Sequence, residues 1–114
     1  MLLVMLSGWT ALFVAGCFEV GFTSFLKLSD GFSRPVYVVL FVITAALSFA
    51  ALSMAVRTIP LGTAYAVWTG IGAFGTAIVG MVFFKDPASL SRIFFLSTLI
   101  LSIIGLKLVS GDAS

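Results

Sequence analysis

Ten charged residues are all that this 114-residue chain carries, and where they fall decides what it can fold into. They are Glu19, Lys27, Asp30, Arg34, Arg57, Lys85, Asp86, Arg92, Lys107 and Asp112. Residues 35–56 and 58–84 are free of charge, and 1–26 holds Glu19 alone. The hydrocarbon core of a bilayer is about 30 Å thick and takes about 20 helical residues to cross. Each of these runs is that long. A fourth run, 93–106, spans only about 21 Å at about 1.5 Å per residue. Arg92 and Lys107 can reach outward along their aliphatic stems and extend it to 89–109.

Composition agrees with lipid as the solvent. Only 9% of the residues are charged, against about 25% in soluble domains. At 61% hydrophobic residues and a mean hydropathy of +1.28, a soluble fold of this size would expose large apolar patches. The expected fold is an all-α membrane protein, one four-helix transmembrane domain over residues 1–114, with helices at 3–26, 35–56, 60–84 and 89–109. Pro35 and Pro60 open their helices, where a missing N–H costs nothing. Ser29, Asp30 and Gly31 supply the first turn, and Ser89 stands where it can cap the fourth helix.

Whole classes of function drop out. With no His and one Cys, the common metal-ligand clusters, an intrachain disulfide and a Ser-His-Asp triad are excluded. No nucleophile–base pair appears in the spans, so no enzyme is expected and no cofactor is implied. A net charge of +2 spread over loops gives no footprint for nucleic acid. Val14-Ala15-Gly16-Cys17 has the look of a lipoprotein cleavage site, but no Lys or Arg precedes it, and Cys17 is expected to be a small packing residue instead.

Short connections make consecutive helices antiparallel neighbours. Connections one and three carry Lys27, Arg34, Lys85 and Arg92, whereas Arg57 and Lys107 lie toward the other face, a weak bias under the positive-inside rule. Such a chain can insert either way round. Two copies in opposite orientations then form an antiparallel dimer with the symmetry of an inverted repeat. The fourth span places Ser91, Thr98, Ser102 and Gly105 near one face, where small residues let helices approach closely, and is the expected dimer surface.

Glu19 is the residue with chemistry to offer. Ionising a carboxyl group in hydrocarbon costs at least about 2.5 kcal/mol, and such acids mark functional sites by default. The group can hold a proton or a cation, hardly both, so each displaces the other. Gly16 and Ala15 leave room on its helix face and Phe22 offers a ring one turn away, alongside Leu12, Thr23 and Leu26. In the third span Tyr65 and Trp68 share a face. Their rings attract cations, and a Tyr hydroxyl can donate to a carboxylate. Trp68 lies too deep for an interfacial belt. Five glycines in that span, 62, 70, 72, 75 and 80, fit either bending or close packing. Ser48 is a polar residue near the middle of the second span, and a backbone bond of its own is the simplest role for it.

Over nearly its whole length the chain resembles the small multidrug resistance family of bacterial transporters. The resemblance lies in AGCFE at 15–19, LK and SDGFSR at 26–27 and 29–34, ALSF at 46–49, and IPLGTAYAVWTGIG at 59–72. The run GTAYAVWTGIG, with GLKL at 105–108, is that of the guanidinium-exporter subtype. The resemblance implies a multi-pass protein of the bacterial inner membrane that exports guanidinium or small substituted guanidinium cations in exchange for protons, as an antiparallel dimer. It implies that Glu19 binds substrate or proton, Ser48 braces a carboxylate, Tyr65 hydrogen-bonds Glu19, Trp68 walls the pocket, and Gly16 belongs to the same site. Planar guanidinium suits a carboxylate's paired oxygens. One position departs: the subtype has Trp where this chain has Phe22, so an indole N–H is lost. That change leaves room for bulkier quaternary ammonium substrates. Some family members work as unlike pairs, and residues 85–109 resemble such a partner, so a heterodimeric subunit is an alternative to a homodimer. Distant relatives resemble lipid-linked sugar flippases, which need no central acid.

Overall fold

The computed structural model describes residues 8–110, and these form four helices: α1 (Gly8–Leu28), α2 (Pro35–Ala55), α3 (Leu61–Phe83) and α4 (Leu90–Ser110). All four are long and apolar enough to cross a membrane. The start expected at residue 3 and the tail beyond 110 lie outside the described residues. At its other end α1 runs on to Leu28, two residues past the expected 26. Lys27 therefore lies within the last turn of the helix, where its charge complements the helix dipole.

The turns follow from their residues. After α1, Ser29 Oγ donates to the Leu26 carbonyl (2.7 Å) and accepts the Phe32 N–H (3.1 Å). Asp30, Gly31 and Phe32 then take left-handed backbone, and the strained Phe32 (φ 67°) sets its ring against Phe41 at 5.8 Å. Pro35 is the first residue of α2, behind an extended Arg34. The Pro60 carbonyl accepts the first bond of α3, from the Ala64 N–H at 2.9 Å. The Arg92 N–H donates to Ser89 Oγ (3.2 Å), capping α4 as expected.

The helices form a slab of 43 × 36 × 21 Å. α1 is the central helix, packed along α2 and along α3, while α2 and α3 lean on each other little. α4 rests on the edge of α3, and none of its residues from 90 to 109 is buried. Ser97 and Thr98 turn their hydroxyls back onto the carbonyls of Ile93 and Phe94, which satisfies both groups on a face open to lipid. Large apolar side chains point outward on every helix, as a bilayer solvent allows.

The buried core is small and lies at one end. Leu12, Ala15, Ala55, Ile59, Ala64, Val67 and Trp68 pack together where α2 turns into α3. Close packing accounts for most of the α3 glycines. A Cβ at Gly70 would sit 2.6 Å from Ile103 Cδ1, one at Gly75 would strike Val20, and one at Gly80 would strike the Asp86 carboxylate. Gly62 and Gly105 meet nothing within 4 Å. Cys17 is exposed and does not pack between helices as expected; its position on α1 turns it away from both α2 and α3.

Candidate functional site

Glu19 stands one residue past the midpoint of the described α1, in the middle of the slab. Its Oε1 is buried and has no hydrogen-bond partner among the described residues. The carboxyl group is lodged against the backbone of α3 at Gly72: a Cβ there would collide with Oε1 and lie 2.7 Å from Glu19 Cγ. Gly72 is thus what lets the acid lie between two helices.

The residues on either side follow the helical repeat. One turn back on α1 is Ala15, whose carbonyl accepts a hydrogen bond from Ser48 Oγ (2.7 Å). Ser48 is fully buried and in turn accepts the Trp68 Nε1–H (3.0 Å). A single hydroxyl therefore ties α1, α2 and α3 together one turn from the acid. Within the chain Ser48 is engaged with a backbone carbonyl and an indole, so it fixes the turn that carries Glu19 and orients Trp68. Both partners are the sort a buried hydroxyl needs, one acceptor and one donor.

Trp68 is buried, with its ring 5.7 Å from Tyr65 and 5.3 Å from Phe49. Phe49 stacks on Phe22 at 6.4 Å with the planes 13° apart, and Phe22 meets Phe41 edge-on at 6.0 Å. A row of rings thus runs Tyr65–Trp68–Phe49–Phe22–Phe41, joining α3, α2 and α1. It offers π faces to a cation along much of the slab. Phe22 is a link in this row, so the ring expected beside Glu19 is spent on its neighbours in α2.

Tyr65 is 57% exposed and stands seven residues before Gly72, about 10 Å along α3. Within one chain it does not reach Glu19. Gly16 faces Ile71: a Cβ there would sit 2.8 Å from Ile71 Cβ, so the room it leaves serves helix approach and not the carboxyl group. The structure therefore brings Ser48 and Trp68 together, sets Glu19 one turn away, and leaves Tyr65 on the outer edge.

Three participants stand outside the expected site residues, although the helical repeat sets Thr23 on the face of Glu19 and Gly72 is among the glycines that fit close packing. Phe49 adjoins Ser48 in ALSF, Gly72 falls one turn after Trp68, and Thr23, one turn after Glu19, lies 2.7 Å through its hydroxyl from Thr76 of α3. The helical repeat could have pointed to Gly72. Nothing in one sequence sets the register that pairs Thr23 with Thr76. No group of three His, Cys, Asp or Glu able to hold a metal occurs among the described residues.

Comparison with known proteins agrees with this architecture. The family model described as Small Multidrug Resistance protein matches residues 7–100. A protein named Guanidinium exporter from Yersinia pseudotuberculosis is 48% identical over 102 residues, 90% of this chain and 98% of the relative. A Guanidinium exporter from Proteus vulgaris is 43% identical over the same shares. A Bacillus subtilis protein named "Probable guanidinium efflux system subunit" is 40% identical over 90% of this chain and 97% of its own length. With its four membrane-spanning helices and a match over most of its length, the chain belongs to the small multidrug resistance family.

Proposed function

We propose that this protein exports guanidinium or small substituted guanidinium cations in exchange for protons, two copies acting together as an antiparallel dimer. As a four-span member of its family, it is a multi-pass protein of the bacterial inner membrane. The observation that carries the proposal is Glu19, a mid-membrane carboxyl group whose Oε1 lacks a partner among the described residues. A buried acid without a hydrogen bond is costly unless something else satisfies it. A proton does so, and so does a cation with N–H donors. Guanidinium supplies two parallel donors to one carboxylate. The names of the relatives favour the same substrate.

The exchange follows from single occupancy. A proton entering the carboxylate removes the charge that holds the cation, and a cation entering expels the proton. Trp68 and Tyr65 flank the route with ring faces that favour cations. The exposed face of α4, with Thr98, Ser102 and Gly105 on its surface and open space at Gly105, is the surface proposed for the second copy. In such a dimer Tyr65 of one copy is free to reach Glu19 of the other.

A second reading keeps the same site but makes the chain one half of an unlike pair. The name of the Bacillus subtilis relative, a subunit, favours it.

Reconstitution of the chain by itself tests both. Proton release is followed on addition of guanidinium, a substituted guanidinium and a quaternary ammonium. The expected result is release with the first two from the chain alone, and none from Glu19→Gln, which keeps the shape and loses the charge. Undiminished proton-coupled transport by Glu19→Gln refutes the mechanism. Activity that appears only with a second gene product selects the unlike pair.

A further inference from the structure

On the side of Glu19 away from Trp68, α1 and α3 run in the same direction and present matched residues every four positions. Glu19, Thr23 and Lys27 follow one face of α1, and Gly72, Thr76 and Gly80 follow the facing side of α3. Thr23 Oγ1 donates to the Val20 carbonyl (3.0 Å) and lies 2.7 Å from Thr76 Oγ1. Just beyond this pair is a cavity of about 120 Å³, bounded by Thr23, Ser24, Lys27, Thr76, Gly80 and Asp86 among others. It lies at the membrane face that carries connections one and three, with Lys27 and Asp86 exposed at its mouth. These are the charged groups that face it; α2 and α4 contribute none to its lining.

We propose that this seam is the path by which protons reach Glu19, separate from the aromatic row that faces the organic cation. The proposal rests on the proton-coupled reading above. The cavity offers polar groups on Thr23, Ser24, Lys27, Thr76 and Asp86 beside the apolar Val79 and Phe84, and is roomy enough for water. A hydroxyl can accept one hydrogen bond while donating another, so the threonine pair continues the chain of water inward once the Thr23 O–H rotates off the Val20 carbonyl and donates toward Glu19. Thr23 is one turn, about 6 Å, from Glu19, a gap that one bridging water closes. A proton entering breaks an O–H bond on a hydronium ion in the cavity and forms one on the Glu19 carboxylate. Each hydroxyl between gains one proton and gives up another, and water is the sole other participant. The 2.7 Å contact also excludes guanidinium: a proton crosses a hydrogen bond that two helices hold closed, and a cation with three nitrogens does not.

The test uses the full chain in liposomes, mixed rapidly with guanidinium in the presence of a pH-indicating dye. Thr76→Val exchanges the hydroxyl for a methyl group of like size, and Thr76→Ser retains the hydroxyl. Thr76→Val is expected to slow proton release about tenfold, or about 1.4 kcal/mol of barrier, with the guanidinium Kd within about twofold of the unsubstituted protein. Thr76→Ser is expected to restore the rate. An unaltered rate in Thr76→Val overturns the path and leaves the proton-coupled reading standing. Equal slowing in Thr76→Ser overturns it in favour of simple packing. No proton release from the unsubstituted protein overturns that reading and the path together. Asp86→Asn is an arm that leaves helix packing in place, because Asn keeps the shape of the side chain that lies against Gly80 and removes only its charge. It is expected to slow proton release in weak buffer and recover in strong buffer, and no slowing counts against the path.

Discussion

Seen along the membrane normal, the two ends of this bundle are held by different means. Toward the connection between α2 and α3, seven apolar side chains bury one another and the Ser48 hydroxyl joins three helices through two hydrogen bonds. Toward the other two connections, the same helices meet across a threonine pair, a folded-back aspartate and a polar cavity. Glu19 lies between the two. One end is packed shut and the other leaves a cavity, so along the proposed path an acid between them has unequal access to the two faces. In an antiparallel pair of such chains each membrane face receives one shut end and one open end. That is the asymmetry alternating access needs.

The sharpest way to break this comparison is to move the acid off the boundary. Gly72→Ala places a methyl group where the Glu19 carboxyl group lies. Buried between two helices, the carboxyl group has little room to yield. Guanidinium-driven proton exchange is expected to fall about a hundredfold, the scale on which misplacing a reacting group by about 1 Å is felt. Initial rates in liposomes measure it, and a rate close to that of the parent shows that the acid works elsewhere.

A smaller effect separates the ends by strength. Ser48→Ala strands the Trp68 indole N–H in a buried site and removes the second bond to the Ala15 carbonyl, which keeps its helical one, at about 1–3 kcal/mol. Thr23→Ala removes a hydroxyl at the hydrated end, where polar contacts between membrane helices average about 0.6 kcal/mol. Unfolding of the purified protein in graded denaturing detergent compares the two. Equal losses would erase the distinction between a shut end and an open one.

Much of the fold was legible because charge in a membrane chain is confined to helix ends. The gaps between Lys27, Arg34, Arg57, Lys85 and Lys107 mark out the spans, and Pro35, Pro60 and Ser89 mark the starts of helices. The special standing of Glu19 was legible for the same reason. The register of α1 on α3 was not, because it is set by which glycine faces which side chain. Gly16 proved to admit Ile71, and Gly72 to admit the acid. Ser48 was visible as a polar residue near the middle of α2, but its partners come from two other helices and leave no local mark. Phe22 and Phe49 stack because α1 and α2 meet in one particular alignment, which spacing within either helix does not state.

The least effect is expected from the counterpart of Gly72 at the open end. Gly80 is eight residues on, along the same face of α3, and it too leaves room for a carboxylate, that of Asp86. Gly80→Ala therefore creates the same kind of collision as Gly72→Ala. Yet Asp86 belongs to an exposed connection, and its carboxylate has water to swing into. Gly80 itself is buried, but the group its new methyl meets can move, so the change is expected to cost less than about 1 kcal/mol, below the usual range for overpacking, and to leave guanidinium affinity unchanged. Detergent unfolding and equilibrium binding measure the two quantities. A loss as large as that of Gly72→Ala would mean that Asp86 is held as firmly as Glu19, and that the end around the cavity is as rigid as the one around Trp68.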